Sequence, residues 1–432
     1  MSPPATIEPK IGPRRSRRRE VGQDDLDLLA QLSPRPALTD ESVWRAIENA
    51  AEQIASESTT PHALDQLEKR LCDTSEKWPL GSRIAARLAR SRQFLSGQRQ
   101  PVRLSVVIPV YCERQRLLTP TEHPLGEGWL DRKFQQLEWL SRGLPNVSWE
   151  MTLVDDGCPE ESGRLIEDRL ADRHQDSSAK VLFLEKALRE RHPALEGMHN
   201  ANESRKGGAV QLGLWEAAKE SRVGSVILFS DADLSTHLGQ AGLLVDGLRR
   251  PGKAIAAGSR RENESIAVKE ASRDARGRLF IYLWKLLAPR LAYLQDTQCG
   301  FKAIHPEAIR RLLPMVRERG FAFDFELLAL CERSWRASVQ PVPIAWIDSP
   351  AASTTVERDP YLGMLQSFER ISRSQLGRPA PAAPLADIIQ SFTEATWAQA
   401  VERIAPRLCG IPPHLESVQP RITATDLAVL SS

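Results

Sequence analysis

Val226-Ile-Leu-Phe-Ser-Asp231-Ala-Asp233-Leu is an apolar run that ends in two carboxylates two residues apart. A short continuous apolar run of this kind reads as a strand buried on both faces, the pattern of a parallel sheet. In an open α/β sheet, ligands collect beyond the carboxyl ends of the strands, so Asp231 and Asp233 stand where chemistry is usually done. Hard divalent cations prefer such oxygen ligands.

Similar runs lie on either side. Leu104–Val110, Trp149–Val154 and Val181–Leu184 precede the stretch, Ile255–Ala257 and Val339–Trp346 follow it, and helical patterns alternate with them. The alternation predicts an α/β fold of βαβ units around a mostly parallel sheet, with helical additions at both ends of the chain. Residues 1–37, rich in Pro, Arg and Ser, read as a disordered basic arm. Residues 38–100 form a helical region: Thr39 caps a helix with Val43, Ile47, Ala50 and Ile54 on one face, and Leu64, Leu67 and Leu71 mark a second. The α/β unit spans 101–373 and closes with a helix at Tyr361–Arg373. A Pro/Ala linker occupies 374–384, and 385–432 hold a helix, Leu385–Ile404, and a tail.

Composition narrows the class. A chain of 432 residues with net charge +2 is too near neutral to argue for nucleic acid, and its basic cluster, Arg14 to Arg19, is local. The six cysteines, at 72, 112, 158, 299, 331 and 409, show no paired spacing, which fits a reducing compartment and small buried hydrophobes. No signal pattern and no membrane-length apolar run is present, so a cytoplasmic protein is expected, at most peripheral on the membrane. Leu279–Tyr293, apolar with Trp, Tyr, Lys and Arg interspersed, is the segment that would touch a lipid surface if any does; a helix packed in the core is its commoner fate.

Other motifs fall at the same sheet edge. Pro109-Val-Tyr111-Cys-Glu113 ends one strand and Asp155-Asp156-Gly157 another, where Asp155 or Asp156 can accept hydrogen bonds from a base or ribose. Lys206-Gly-Gly opens a helix at Ala209–Ala218, and its N-terminus with the lysine favours a phosphate. Asp231 and Asp233 repel a diphosphate by about 4 kcal/mol per charge pair at 4 Å and an effective dielectric of 20, a sign that a divalent metal reverses. Asp233 can also cap the turn near Ser235. An aspartyl-phosphate phosphatase shares the Asp-x-Asp after a strand, but several sheet strands before the motif weigh against it. Arg260 after Gly258-Ser suits phosphate oxygens, with Arg276 a second candidate. Asp296-Thr-Gln298-Cys-Gly-Phe-Lys302 reads as pocket lining. In Phe321-Ala-Phe-Asp324-Phe-Glu326, desolvation by phenylalanines suits Asp324 to general-base work as well as to pairing with a cation, whereas Glu326 reads as structural.

From about Leu104 to Ser353 these motifs, in this order, resemble the family 2 glycosyltransferases of GT-A fold, and within them the dolichyl-phosphate glucosyltransferases and other polyprenyl-phosphate hexosyltransferases. The resemblance implies a nucleotide-sugar donor, Mg²⁺ or Mn²⁺, and inverting displacement. It implies that Pro109, Tyr111 and Glu113 border the donor nucleotide, that Asp155 or Asp156 meets its base or ribose, and that Lys206 helps fix it. Asp231 and Asp233 then hold metal and diphosphate, Arg260 the acceptor phosphate, and Gln298 and Asp324 lie near the transferred sugar. Residues 1–100 and 374–432 fall outside the resemblance.

The reading expected from this is transfer of a hexose, glucose from UDP-glucose, to a polyprenyl phosphate. An anionic acceptor needs no strong base, so Asp324 would position or neutralise; a soluble hydroxyl acceptor, the alternative, would need one. A further alternative is a sugar-nucleotide-binding protein without catalysis.

Overall fold

The computed structural model describes residues 20–55, 59–74, 77–172, 178–268, 271–349, 360–377 and 383–404. The strands among them are β1 (Val102–Val110), β2 (Val147–Asp155), β3 (Ala179–Phe183), β4 (Ser225–Ser230), β5 (Ile255–Ser259), β6 (Ile266–Val268), β7 (Phe301–Ile304), β8 (Val339–Pro343) and β9 (Ala345–Ile347). Seven form one sheet in the order β3-β2-β1-β4-β7-β5-β8, and β6 pairs with β9 in a second. Every pairing in the large sheet is parallel except those of β7, which runs antiparallel between β4 and β5. The mostly parallel α/β architecture expected from the sequence is therefore the one observed.

Parallel pairing carries β1, β2 and β4 to one edge. Val110 lies opposite Asp155, and Val107 opposite Phe229 one residue before Ser230, so the polar groups that follow all three strands emerge together. The segment expected as a single strand at Val339–Trp346 is two strands in different sheets. Pro341 and Pro343 lack the N–H that a further neighbour would need, which suits β8 to the sheet edge, and Ile344 joins the two sheets: its N–H donates to Ser259 O of β5 at 3.1 Å and its carbonyl accepts the Ile266 N–H of β6 at 2.9 Å. The expected run to Leu184 stops at Phe183, because a helix, Leu184–Arg189, begins there.

Helices cover both faces. α1 (Gln23–Ala30), α2 (Glu41–Ile54), α3 (Pro61–Asp73) and α4 (Leu80–Ser96) form a layer whose Leu29, Ile47, Leu64 and Leu88 share one core with Val106, Ile108 and Leu228 of the sheet. Two expectations are corrected here. The arm assigned to 1–37 contains α1, with Leu29 fully buried, because an amphipathic segment finds an apolar partner; the arginine cluster at 14–19 lies outside the described residues. The cap of α2 is Asp40, not Thr39: the Asp40 carboxylate accepts the Val43 N–H at 3.2 Å.

The opposite face packs against helices Gly207–Glu220, Ala271–Leu287, Phe323–Ser334 and Pro360–Ile371. The C-terminal helix expected at Leu385–Ile404 is two, Ala383–Ser391 and Glu394–Ile404, broken where Thr393 and Thr396 exchange backbone-to-hydroxyl bonds that start the second. Leu385, Ile389 and Trp397 join the same core, so both terminal regions are layers of one body rather than appendages. The tail from 405 lies outside the described residues, as do residues 378–382 of the expected linker.

The first half of Leu279–Tyr293 packs in the core, while Tyr293 at its end is 41% exposed. Leu279 through Trp284 are each at most 6% exposed, with Phe280 5.2 Å from both Tyr361 and Phe368, so these apolar residues are spent on protein. Among the described residues no helix is long and apolar enough to cross a membrane.

Candidate active site

Beyond the ends of β1, β2 and β4 lies a cavity of about 330 Å³ lined by Pro109, Tyr111, Glu113, Asp156, Lys206, Asp231 and Asp233, all singled out in the sequence. Asn202, Arg205 and Phe321 complete its wall. A larger cavity, about 880 Å³, runs along the edge strand β3 and contains Asp155 but neither residue of the Asp-x-Asp pair.

Lys206 organises the first cavity. Its backbone is left-handed (φ 77°), which costs a non-glycine residue about 1–3 kcal/mol unless its surroundings hold it. The hold comes from Asp156, whose Oδ2 accepts the Lys206 N–H at 2.7 Å. The side chain then delivers its ammonium to Asp231 Oδ1. Burial raises the Asp231 pKa, but Lys206 outweighs it and the carboxyl stays below its ordinary value. Burial works against the Lys206 ammonium too, yet Asp231 and Asp324 hold it above its usual range. Burial pushes Asp156 up to about 6 despite its bonds to Ser204 and Lys206.

Asp231 is also fixed from the other side. Its N–H donates to Gly300 O at 3.1 Å, and a Cβ at position 300 would fall on the Asp231 carboxylate, so only glycine fits this approach.

Asp233 begins a tight turn by accepting the Ser235 N–H at 3.0 Å. Around it stand groups that the sequence did not mark: Arg116, Glu127 and Lys133. Glu113 pairs with Arg116, yet burial and the nearby Asp233 and Glu127 raise it to about 7. Burial also raises Glu127, whose Oε1 accepts from Ser349. Burial brings Lys133 down to about 8, and its ammonium donates to Thr236 O at 3.0 Å. Among the described residues, Glu113 Oε2, Glu127 Oε2, Arg116 Nη1 and Ser235 Oγ are buried without a hydrogen-bond partner. Arg116 was foreseeable as the i+3 partner of Glu113, whereas Glu127 and Lys133 arrive from a loop and a helix with no local signal.

Other expected site residues stand apart. Asp155 spends both oxygens on its own loop, accepting from Gly157 and Cys158 at 3.0 and 2.9 Å and from Gly163 at 2.8 Å. That leaves Asp156 as the member of the pair in the cavity. Arg260 forks onto Asp296 at 2.7 and 2.9 Å and lies over the Trp346 ring, and Gln298 donates its N–H to the same Asp296. Burial opposes the Asp296 charge, but Arg260 outweighs it and holds the carboxyl well below its usual range. Neither Arg260 nor Gln298 lines the cavity. Asp324, 2% exposed, sits behind Lys206 and accepts from Lys302 Nζ at 2.7 Å; burial raises its pKa against the pull of Lys302 and Lys206. Glu326 ties down the Arg317 and Glu318 N–H groups, a structural role. The Arg276 side chain lies outside the described residues.

A dolichyl-phosphate beta-glucosyltransferase of Drosophila melanogaster is 30% identical over 272 residues, which are 61% of this chain and 71% of the relative. The human enzyme of the same name is 28% identical over 254 residues, 57% and 67% of the two chains. Among solved structures, glucosyl-3-phosphoglycerate synthase from Mycobacterium tuberculosis, in complex with Mn²⁺, UDP and glucosyl-3-phosphoglycerate, is 18% identical with a TM-score of 0.43, covering 68% of this chain and 85% of that one. No family model matches the chain. The ordered motifs, the sheet and the two dolichyl-phosphate glucosyltransferase relatives define a glycosyltransferase of GT-A fold. The chain belongs to the family of the dolichyl-phosphate beta-glucosyltransferases, among the family 2 glycosyltransferases.

Proposed function

We propose that the protein is an inverting hexosyltransferase, dependent on Mg²⁺ or Mn²⁺, that moves glucose from UDP-glucose to a polyprenyl phosphate. The observation that carries this is the convergence of Lys206, Asp231 and Asp233 with Pro109, Tyr111 and Asp156 on one cavity. The relatives named for dolichyl-phosphate glucosyl transfer supply the acceptor and sugar classes.

The residues fit a divalent ion. Two carboxylates with an unpartnered Ser235 Oγ beside them are hard oxygen donors, and Lys206 already sets a positive charge on Asp231. Among the described residues no three His, Cys, Asp or Glu side chains group as an ion site of their own. Asp231 and Asp233 would hold it, and when bound it supplies charge neutralisation of the departing UDP.

Asp156 and Tyr111 would orient the nucleoside, and Lys206 would turn from Asp231 toward the diphosphate. A phosphate oxygen of the acceptor then attacks the anomeric carbon from the face opposite UDP; the new C–O bond forms as the sugar–diphosphate bond breaks, with inversion. No proton need leave the acceptor, so Asp324 serves to hold Lys302 and Lys206.

One observation favours a second reading. Arg260, the expected acceptor-phosphate ligand, is committed to Asp296 outside the cavity, which leaves room for a soluble hydroxyl acceptor. Calorimetry with UDP, GDP, UDP-glucose and GDP-mannose, with and without Mn²⁺, on wild type and Asp233→Asn tests the donor site: metal-dependent UDP binding lost in the variant supports it. A transfer assay with short polyprenyl phosphates then decides the acceptor; glucosylated hydroxyl compounds and no glycosyl phosphate would favour the second reading.

A further inference from the structure

The loop from Asp231 to Gln240 carries both proposed metal carboxylates, and much of it is clamped from within the α/β unit. Gln136 Oε1 accepts the Leu238 N–H at 2.9 Å, Lys133 donates to Thr236 O, and the Ile347 N–H reaches Ser235 O at 3.0 Å. His237 is held from the N-terminal layer as well. Its ring, 3% exposed, stacks on Trp44 of α2 at 5.3 Å and meets the edge of Trp139 at 6.1 Å. Its Nδ1 accepts the Gly239 N–H at 3.0 Å, so the proton of the neutral ring is on Nε2, which donates to Glu48 Oε1 at 3.0 Å. Burial lowers the His237 pKa and keeps the ring neutral; Glu48 opposes this, while Arg132 and Lys133 reinforce it.

Trp44 and Glu48 are one helical turn apart on the same face of α2. α2 is itself anchored, by the Asp40 cap and by the Trp44 Nε1 bond to Ala37 O at 3.0 Å. The N-terminal layer, outside the motif region, thus reaches the turn that follows the Asp-x-Asp pair through an oriented histidine, while Ser91 of α4 accepts the Gly242 N–H at 2.9 Å just beyond the turn.

We propose that Glu48 is a positioning residue of the N-terminal layer: through His237 it fixes the loop that presents Asp231 and Asp233, and so sets the affinity of the site for a divalent cation with a nucleoside diphosphate. The inference rests on the reading of those two aspartates as the metal site. Losing one buried hydrogen bond on the loop weakens that affinity about five- to tenfold.

The test uses the full chain with saturating UDP and follows free Mn²⁺ by electron paramagnetic resonance, with thermal unfolding in parallel. Glu48→Met keeps the shape against Trp44 and removes the acceptor; Glu48→Gln keeps an oxygen that a neutral Nε2–H can use. Glu52→Met, on the same helix but paired with Arg92, controls for general loosening of α2. The expected result is weaker Mn²⁺ binding in Glu48→Met, near wild-type binding in Glu48→Gln, and no change in Glu52→Met. Wild-type affinity in Glu48→Met, or an equal loss in Glu52→Met, overturns the inference. If wild type with UDP binds no Mn²⁺ at all, the metal-site reading itself fails and the inference goes with it.

Discussion

The Lys206 ammonium lies on the Asp231 carboxylate, and the same residue's backbone N–H lies on Asp156. The lysine thus ties two carboxylates from the ends of β2 and β4, the strands on either side of β1, to one left-handed residue. Side chain and backbone make separable contributions. Lys206→Ala and Lys206→Gly both lose the ammonium and should weaken UDP binding by about ten- to a hundredfold, because a hydrogen bond to a charged group is worth about 1.5–3 kcal/mol. Lys206→Gly should unfold at the higher temperature of the two, since glycine accepts φ 77° without strain. Calorimetry and thermal unfolding read the two effects; equal melting temperatures would remove the strain argument.

Gly300 makes a prediction about the other side of Asp231. With the Asp231 N–H bonded to Gly300 O, the chains cannot separate, and in Gly300→Ala the new methyl must displace the Asp231 carboxylate. Overpacking of this kind costs about 1–3 kcal/mol. Mn²⁺-dependent UDP binding should fall as far as in Asp231→Ala, while Gly363→Ala, which opens onto free space inside the helix Pro360–Ile371, should leave binding unchanged and raise stability by about 0.5–1 kcal/mol. Wild-type binding by Gly300→Ala would show that Asp231 tolerates the shift.

These features differ in how far local sequence announces them. β1, β2 and β4 turn apolar toward their carboxyl ends, at Val106–Val110, Leu153-Val154 and Val226–Phe229, and the site residues lie at or just beyond those ends, so Pro109, Tyr111, Asp156, Asp231 and Asp233 could be read in order. β7 could not: Phe301-Lys-Ala-Ile304 is short and carries a lysine, tolerable inside the sheet only because Asp324, distant in sequence, neutralises it. Glu127 and Lys133 converge on Asp233 for reasons of tertiary packing alone. The period of α2 shows which face is buried but not that His237 is what it meets.

Glu113 gives the site a pH dependence. Its ordinary value of 4.5 rises to about 7 in the fold, so between these values the folded state binds more protons than the unfolded one. Stability therefore falls as pH rises through that window, by about 3 kcal/mol for this group, and is not regained above it. A divalent cation at Asp233 reverses the sign of the local field and favours the ionised carboxylate. Binding of Mn²⁺ with UDP near pH 6 should release protons, and affinity should rise with pH up to about 7. Calorimetry in buffers of different ionisation enthalpy measures the release; a profile unchanged in Glu113→Gln would assign it to another group.

The buried pair of Asp324 and Lys302 separates the two acceptor readings. Lys302 is fully buried, bonded to Asp324 at 2.7 Å and to Cys299 O at 2.6 Å, with its ammonium 5.3 Å from the centre of the Phe229 ring. Asp324→Asn leaves that ammonium without its counter-ion and should cost about 3–5 kcal/mol, whereas Asp324→Asn with Lys302→Met removes both charges and should recover most of the loss. The double variant is then stable enough to assay. If the acceptor is a phosphate, transfer should persist at a reduced rate, with no basic group added to or removed from its pH profile, because the attacking oxygen is already anionic. If the acceptor is a hydroxyl and Asp324 takes its proton, the stable double variant should bind UDP normally and transfer nothing. Full activity in the double variant toward a hydroxyl acceptor would exclude Asp324 as the base.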